Sequence, residues 1–252
     1  MEINQLTTVI FDLDGTLCTY EESLGKSLLR CFEVENVDDL PFTPEDYEEE
    51  FGRQFCSAIE GRIERPELSY RKRLVWSLLE PLSGFSQKQI AGYADRFDEV
   101  REEGLELFPE SVQVLKRLQG GVKLGLLTNG PSSLQWAKIR HLGIEELFDE
   151  VVVSGDHGLV KPDPEIFHLT LDKMGSTPAE SIYVGNSHKY DVEGAKNAGL
   201  PVIWRRNEGG ERPDPDENYP EPDFVVDDLV EIFDLGILQL SDDSDSRRVK
   251  LS

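Results

Sequence analysis

The stretch from Val9 to Leu17, which reads Val-Ile-Phe-Asp-Leu-Asp-Gly-Thr-Leu, constrains the fold of this chain more than any other segment. Its apolar half is short, β-branched and aromatic, which predicts a buried strand in the middle of a parallel sheet. Asp12 and Asp14 follow at the end of that strand, and burying two carboxylates is costly unless a metal or a cation accompanies them. Because ligands of open α/β sheets bind at the carboxyl ends of the strands, this stretch predicts a functional site.

The spacing of the two carboxylates suits a site in which each has a different chemical role. Side chains alternate along a strand, so Asp12 and Asp14 point the same way if the extended geometry continues through them. One carboxylate can then attack a substrate or hold a metal while the other handles a proton. Gly15 permits a sharp turn after the strand, and Thr16 offers a hydroxyl and an N–H to an anion. The alternative explanation is an ordinary acidic turn, which is common in an acidic chain.

An alternation of strand and helix patterns resumes near Phe108 and continues to about residue 236. Short apolar runs are followed by segments of helical periodicity that end near a glycine, as in Ser132 to Leu142 before Gly143. Ser111 can cap the helix that ends at Gly120, and a later helix is expected from about Asp191 to Ala198. The segment 207–222, rich in prolines and acids, is expected to be a surface loop. This order predicts an α/β fold with a doubly wound, Rossmann-like parallel sheet. After the first strand, the expected strands with their polar ends cover residues 123–130, 150–154, 181–187, 201–204 and 223–226.

Between residues 19 and 105 the pattern is helical, with breaks at prolines and no convincing strand. The helical periodicity is carried by four segments, at 24–32, 51–59, 74–79 and 87–100. Nearly ninety residues without a strand are unusual in a compact array of βαβ units, which favours an inserted helical domain at 19–105. The catalytic core then comprises residues 1–18 and 106–240, and the polar end, 241–252, is expected to be disordered. The alternative is that these helices simply flank the sheet.

Other polar residues follow the later strands of the expected sheet. They are Thr128 and Asn129 after the second strand, Lys161 past the third, and Asn186 and Asp191 past the fourth. Each has an ordinary explanation as a helix cap or a turn residue. Their joint occurrence in this order has no such ordinary explanation. In a doubly wound sheet, the ends of these strands meet in one crevice. The sequence therefore predicts that they form one site with Asp12 and Asp14.

The net charge restricts the class of partner, and the cysteine content restricts the cellular compartment. The formal net charge is −24, with acidic residues spread along the chain, which argues against nucleic acid and anionic membrane surfaces as partners. No apolar run is long enough for a transmembrane helix. Three cysteines without Cys-x-x-Cys spacing, and no signal peptide, favour a reducing cytoplasm. A surface this acidic also favours the hypothesis of a protein from a salt-loving organism, where ionic strength screens the self-repulsion.

With these motifs, the chain resembles a haloacid dehalogenase superfamily hydrolase of the phosphatase type, in which a helical cap (residues 19–105) is inserted after the first motif. The resemblance covers roughly residues 7–236. The four matching motifs are Asp12-Leu13-Asp14-Gly15-Thr16, Leu127-Thr128-Asn129, Lys161-Pro162-Asp163, and Gly185-Asn186-Ser187 with Asp191. The combination is specific for the superfamily and much less specific for a substrate.

The resemblance implies a division of roles among the motif residues. Asp12 would be the nucleophile that forms an aspartyl-phosphate, and Asp14 the general acid and then the general base. Lys161 would supply positive charge to the nucleophile and the transition state. The phosphoryl oxygens would be bound by Gly15, Thr128, Asn129 and Lys161.

The resemblance also implies a Mg²⁺ ion held by the Asp12 carboxylate, the Asp14 carbonyl, Asn186 and Asp191. The fourth motif usually reads Gly-Asp, whereas this chain has Gly185-Asn186. An amide oxygen can bind Mg²⁺, but the site loses one negative charge, so weaker metal affinity is expected. Asp191 is the safer metal residue.

The implied activity is Mg²⁺-dependent hydrolysis of a small phosphorylated metabolite by a cytoplasmic monomer or homodimer. Dehalogenases of the superfamily lack the second acid of the first motif, because a halide leaves without a proton, so Asp14 favours phosphate esters. A phosphomutase shares the covalent intermediate, and nothing in the sequence separates it from a hydrolase. A catalytically weak, metal-binding regulatory member stays open, with Asn186 in its favour and Asp12, Asp14 and Lys161 against it. Residues of the cap do not identify the leaving group. Some could face the site, although a solvated helix face is the favoured interpretation for each: Tyr20, Glu21, Arg53, Arg62 and Arg65.

Overall fold

A computed structural model describes residues 6–59, 62–65, 67–206 and 219–238 of the chain. Six parallel strands form one sheet in the spatial order β5-β4-β1-β6-β7-β8. The strands of this sheet are β1 (Thr8–Phe11), β4 (Lys123–Thr128), β5 (Glu150–Val153), β6 (Ser181–Gly185), β7 (Val202–Arg205) and β8 (Phe224–Val226). The sequence-based expectation of a doubly wound parallel sheet is confirmed, and all six expected strands are present.

The central strand of the sheet is β1, which lies between β4 and β6. Its four residues are all buried, because it is covered on both faces, which explains why its sequence is continuously apolar. The register pairs Phe11 with Leu126 on one side and with Val184 on the other. The chain builds the sheet first toward β5 and then, from β6, in the opposite direction. The carboxyl end of β1 therefore lies at the position where the strand order reverses, which is where such sheets bind ligands.

Helices cover both faces of this sheet and bury two separate apolar clusters against it. The helices of this part of the chain are α5 (Ser111–Leu118), α6 (Ser132–Leu142), α7 (Ser154–His157), α8 (Pro164–Met174) and α9 (Gly194–Asn197). A π-helical turn at His188–Glu193 leads into α9, so this helical segment begins earlier than the expected start at Asp191. Helix α6 ends at Gly143 as expected, with a φ of 64° that suits glycine.

Four helices make up most of the cap, and all four were expected from the apolar periodicity. They are α1 (Leu24–Phe32), α2 (Pro44–Ile59), α3 (Tyr70–Leu79) and α4 (Gln87–Glu103). They enclose an apolar cluster that includes Leu28, Leu74 and Phe97, all fully buried, and that only Leu134 of α6 joins from the core among its buried members. A separate core of this kind supports the proposal that residues 19–105 form a domain distinct from the sheet.

Two local expectations were wrong. A short antiparallel pair, β2 (Cys18–Tyr20) with β3 (Leu105–Leu107), joins the two ends of the cap where no strand was expected. Three-residue strands far apart in the sequence leave no periodic signal, so only their pairing in space reveals them. Ser111 does not cap α5, because its hydroxyl donates instead to the carbonyl oxygen of Leu17, 2.7 Å away.

Within the part of the chain that the structure describes, no helix combines the length and the apolar character needed to cross a membrane. The expected surface loop at 207–222 lies mostly outside the described residues, and the expected disordered end at 241–252 lies wholly outside them.

Candidate active site

The residues expected at the strand ends converge on one cavity of about 530 Å³ at the carboxyl edge of the sheet. Asp12 follows β1, Thr128 ends β4, and Asn186 follows β6, and these three strands are adjacent in the sheet. Parallel pairing therefore places residues from distant parts of the sequence side by side. Of the sequence-predicted site residues, the cavity is lined by Asp12, Asp14, Thr128, Asn129, Lys161, Asn186 and Asp191.

Lys161 is the cation at the centre of the site. Its Nζ donates to Oδ1 of Asp12 and to Oδ1 of Asp191, each at 2.7 Å, and to the Tyr183 hydroxyl at 2.9 Å. Burial by itself would lower the pKa of Lys161, but the two carboxylates outweigh burial and raise it. The ammonium is thus kept charged in a place where an unpaired cation would be very costly.

Asp12 is almost completely enclosed, with 6% of its surface exposed. Burial raises its pKa to about 7, and the neighbouring Asp191 carboxylate adds to the rise while Lys161 opposes it. Its Oδ2 also accepts a hydrogen bond from the Thr16 hydroxyl at 3.1 Å. The carboxylate is held by one donor on each oxygen, which fixes its orientation and leaves a lone pair on each oxygen.

Asp14 lines the same cavity but has different partners. Its two oxygens lie 2.8 and 2.9 Å from Nζ of Lys138, and Gln135 donates to Oδ2 at 2.9 Å. Burial would raise the pKa of Asp14, but the Lys138 ammonium outweighs it and lowers the pKa. The pKa values of Asp12 and Asp14 therefore move in opposite directions, so that Asp14, which has Lys138 to itself, is the more strongly ionised of the two carboxylates.

Sequence reasoning missed Gln135 and Lys138, which lie three residues apart on one face of α6. The Gln135 amide also donates to the Thr128 hydroxyl oxygen at 2.6 Å, so it links the first and second motifs. Both residues are more than nine-tenths buried. The available signal was two polar residues at positions where an amphipathic helix would place its apolar face, directly after a strand that ends in the site.

Asn129 holds the backbone of Lys161 in place. Its Nδ2 donates to the Lys161 carbonyl at 3.0 Å, and its Oδ1 accepts from the Lys161 N–H at 2.9 Å. This paired contact fixes the loop that carries the central ammonium. The Asn129 side chain thus acts on the site through Lys161 in this conformation.

The turn after Asp14 depends on a glycine at residue 15. Gly15 has a φ of +78°, and a Cβ there would lie 2.5 Å from Nδ2 of Asn186. Its N–H donates to the carbonyl oxygen of Cys18 at 2.8 Å. The N–H of Gly15 itself is therefore engaged within the turn, and the phosphate-binding role expected of the N–H groups near Gly15 stays a prediction. Thr16 likewise points inward, with its hydroxyl 3.1 Å from both Asp12 Oδ2 and Asn186 Oδ1.

Asp191 is buried beside Lys161 and is fully oriented by hydrogen bonds. Its Oδ1 accepts from Lys161 and from the Tyr183 hydroxyl, at 2.7 and 3.0 Å, and its Oδ2 accepts from the Ser187 N–H at 2.9 Å. A carboxylate has about four lone-pair sites, so one on Oδ2 is left for a further partner. Tyr183, another residue that sequence reasoning missed, therefore helps to fix both the carboxylate and the ammonium.

The oxygen atoms around Asp12 suit a hard divalent cation. Asp12, Asn186 and Asp191 together offer two carboxylates and an amide oxygen at the cavity, and Mg²⁺ prefers such ligands. Among the described residues, no group of three or more His, Cys, Asp or Glu side chains is arranged to hold a metal. The residues present, two carboxylates and one amide, nevertheless fit the oxygen-ligand chemistry of Mg²⁺.

The cap contributes Phe51, Gly52 and Phe55 of α2 to the cavity wall. None of these was singled out from the sequence. The cap residues that were considered there do not line the cavity. Arg53 forms an ion pair with Glu50 at 2.6 Å, and Arg65 forms one with Glu80 at 2.6 Å.

The sequence model of one protein family, the haloacid dehalogenase-like hydrolases, matches this chain over residues 6–199. That range contains all the residues of the site described above.

Individual relatives are similar over most of the chain. The chain is 28% identical over 237 residues to a glyceraldehyde 3-phosphate phosphatase of Methanopyrus kandleri, which covers 91% of this chain and 97% of the relative. It is 32% identical over 204 residues to a phosphoserine phosphatase of Thermus thermophilus, with 77% and 79% covered. The structure of a 2-haloacid dehalogenase from Pseudomonas syringae is similar, with a TM-score of 0.63, 25% identity, and 92% and 98% of the two chains covered.

Proposed function

This chain belongs to the haloacid dehalogenase-like hydrolase family, and from that premise we propose that it hydrolyses phosphate monoesters of a small metabolite through an aspartyl-phosphate on Asp12. The observation that carries this proposal is the pair of carboxylates on one cavity, Asp12 against Lys161 and Asp14 against Lys138. Both relatives named above are phosphatases, which supports the same reaction class.

In the first step, a carboxylate oxygen of Asp12 attacks phosphorus and the bond between phosphorus and the ester oxygen breaks. The leaving alkoxide takes a proton from Asp14, and the phosphoryl group stays on Asp12. In the second step, Asp14 takes a proton from water, the resulting hydroxide attacks phosphorus, and Asp12 and inorganic phosphate are released. Each proton that Asp14 gives in the first step is thus recovered in the second.

Lys161 and Thr128 stabilise the charge that develops on the phosphoryl group. Lys161 already holds Asp12 at 2.7 Å, so its ammonium lies beside the atom that attacks. The Thr128 oxygen accepts from Gln135, which turns its own hydroxyl hydrogen away from Gln135 and toward other acceptors. Charges and dipoles fixed before the reaction cost no reorganisation when the transition state forms.

Mg²⁺ would be held by the carboxylates of Asp12 and Asp191, the side-chain oxygen of Asn186 and the backbone carbonyl of Asp14. When bound, it supplies the positive charge that lets an anionic phosphate approach an anionic nucleophile. Asp191 would serve both this ion and Lys161, since its Oδ2 retains a lone pair.

Asp14 distinguishes this proposal from a dehalogenase of the same family. A 2-haloacid dehalogenase needs no acid for its halide, so the structural similarity to one is taken as a similarity of fold. A phosphomutase and a weak metal-binding regulator remain as outcomes of the test below.

The test measures p-nitrophenyl phosphate hydrolysis at high KCl, with Mg²⁺ or with EDTA, for the wild type and for Asp12→Asn. We expect turnover that requires Mg²⁺ and is lost in the variant. Absence of turnover together with dechlorination of 2-chloropropionate would contradict the proposal in favour of a dehalogenase. No turnover of either compound, with Mg²⁺ still bound, would instead favour a mutase or a regulatory protein.

The cellular compartment, the salt conditions and the oligomeric state of the enzyme are also proposals. Cys18 and Cys31 are buried free thiols and Cys56 is an exposed one, which supports a reducing cytoplasm. The acidic surface supports a protein adapted to high salt, and a monomer or homodimer fits the chain length.

A further inference from the structure

One wall of the active-site cavity is apolar. Phe51, Gly52 and Phe55 form the cap side, and Val160 and Tyr190 extend it along the rim of the core. The Phe51 ring is braced by the rings of Tyr70 and Phe55, with centroids 5.1 and 6.5 Å away. The wall therefore offers aromatic and aliphatic surface, with the Tyr190 hydroxyl as its polar side-chain group.

Positive charge in this cavity is already committed to the reacting carboxylates. Lys161 is the one cation among the described residues that line it, and its ammonium is shared by Asp12 and Asp191. Lys138 lies behind Asp14 and is paired with it. A second anionic group on the substrate would therefore face the carboxylates without a cation of its own, and an unpaired charge in a partly enclosed site is costly.

The arginines of the cap do not supply that missing charge to a small substrate. Arg53, which follows Gly52, forms an ion pair with Glu50 and lines a different pocket. Arg73 lies past Phe55, in an adjoining cavity of about 280 Å³. There its guanidinium donates to the Leu68 carbonyl at 2.9 Å and lies over the Tyr70 ring, 5.3 Å from its centroid. A leaving group of a few carbon atoms stays on the near side of Phe55.

We infer that the preferred substrates are phosphate monoesters whose leaving group carries apolar surface and no second anionic group. This inference rests on the proposed phosphatase function and names the substrate class within it. The apolar face of the leaving group packs on Phe51 and Phe55, while a carboxylate or second phosphate on a small leaving group is rejected by the negative charge of the site. Rejection by an unpaired charge is a stronger means of selection than a gain in apolar contact.

The first test compares kcat/KM of the full-length wild type, with Mg²⁺, on benzyl phosphate and 4-carboxybenzyl phosphate, which differ only in the carboxylate. O-phosphoserine serves as a small charged substrate. We expect benzyl phosphate to exceed both by at least tenfold. Equal values, or a preference for the carboxylated esters, overturn this inference while leaving the phosphatase function intact. No turnover of any ester, p-nitrophenyl phosphate included, overturns both.

The second test places a cation on the wall at Gly52. A Cβ added there meets no heavy atom within 4 Å, and the residue lies inside a 16-residue helix, so substitution should not disturb folding. Gly52→Lys should reduce the preference for benzyl over 4-carboxybenzyl phosphate at least fivefold. Gly52→Gln, similar in length but uncharged, should change it less than twofold. An equal effect of the two variants, or no effect of the lysine, overturns the inference that missing positive charge sets the preference.

Discussion

The ammonium of Lys138 lies 2.8 Å from Oδ1 and 2.9 Å from Oδ2 of Asp14, so one buried lysine spans the whole carboxylate. The same ammonium lies 5.6 Å from the centroid of the Tyr20 ring, on the strand that leads into the cap. Tyr20 in turn accepts a hydrogen bond from Arg71 of α3 at 2.9 Å. The proposed proton carrier is thus connected through Lys138 to the entrance of the cap.

Lys138→Met should extend the protonated form of Asp14 to higher pH. Lys138 lowers the pKa of Asp14, so its removal raises that pKa, and the acid needed in the first step persists as the pH increases. We expect the alkaline limb of the pre-steady-state rate of benzyl alcohol release from benzyl phosphate to move to higher pH. Lys138→Arg, which keeps the charge, should leave the limb in place.

The matched substrate control for this prediction is p-nitrophenyl phosphate. Its leaving group needs little protonation, so its alkaline limb should respond less to Lys138→Met. An equal response for both esters would show that Lys138 acts on something other than proton donation by Asp14.

Asp12→Asn should stabilise the metal-free protein, more at pH 8 than at pH 4. The folded-state pKa of about 7 lies well above the ordinary pKa of an aspartate, so this group favours the folded state fully below about pH 4 and loses that contribution as the pH rises toward 7. The amide never ionises and so avoids this loss, although part of the gain is offset by loss of the Lys161 ion pair. Thermal unfolding in EDTA should show a rise of a few degrees at pH 8. The exposed Asp38→Asn serves as the control, and an equal gain there would count against the explanation.

Asn186→Asp should tighten Mg²⁺ binding by about tenfold, because ligand charge strongly sets the affinity of oxygen sites for divalent cations. The carboxylate would also add repulsion beside Asp12 when no metal is bound. We therefore expect a lower unfolding temperature in EDTA and a larger rise on adding Mg²⁺, measured together with the Kd by calorimetry. Asn197→Asp makes the same charge change on the exposed surface. A matching gain in affinity for that variant would argue against ligation at residue 186.

Gly15→Ala should disturb both stability and the metal site. A positive φ costs a non-glycine residue roughly 1–2 kcal/mol, and the added Cβ would lie 2.5 Å from the Asn186 side chain. Gly84→Ala is the matched control, since Gly84 has a φ of +113° with no heavy atom within 4 Å of an added Cβ. Both variants should unfold at lower temperature, and only Gly15→Ala should weaken Mg²⁺ binding. Unchanged binding would mean that Asn186 is not a ligand.

Salt should stabilise the protein at neutral pH. With a formal net charge of −24, the folded chain repels itself, and ions screen that repulsion. We expect the unfolding temperature to rise between about 0.1 and 2 M KCl at pH 7, and to rise less at pH 4, where many carboxylates are protonated. Greatest stability in dilute buffer at pH 7 would contradict adaptation to high salt.

The sequence determined the order of strands and helices, because each carries its own apolar periodicity. The continuous apolar run of β1 and the helical spacing of α1 to α4 are local signals that tertiary packing did not override. The sequence also identified Asp12, Lys161 and Asp191 as candidate site residues, because polar residues at the ends of parallel strands meet at one edge of the sheet.

The tertiary structure alone decided which partner each of those residues has. Gln135 and Lys138 reach Asp14 from a helix more than a hundred residues away, and β2 pairs with β3 across the whole cap. The aromatic wall at Phe51 and Phe55 arises only when α2 lies over the sheet edge. Periodicity reports which face of an element is buried, whereas hydrogen bonds and charges act between atoms a few ångströms apart. Those distances are set by how the cap and the sheet pack together, and no local pattern in the chain encodes them.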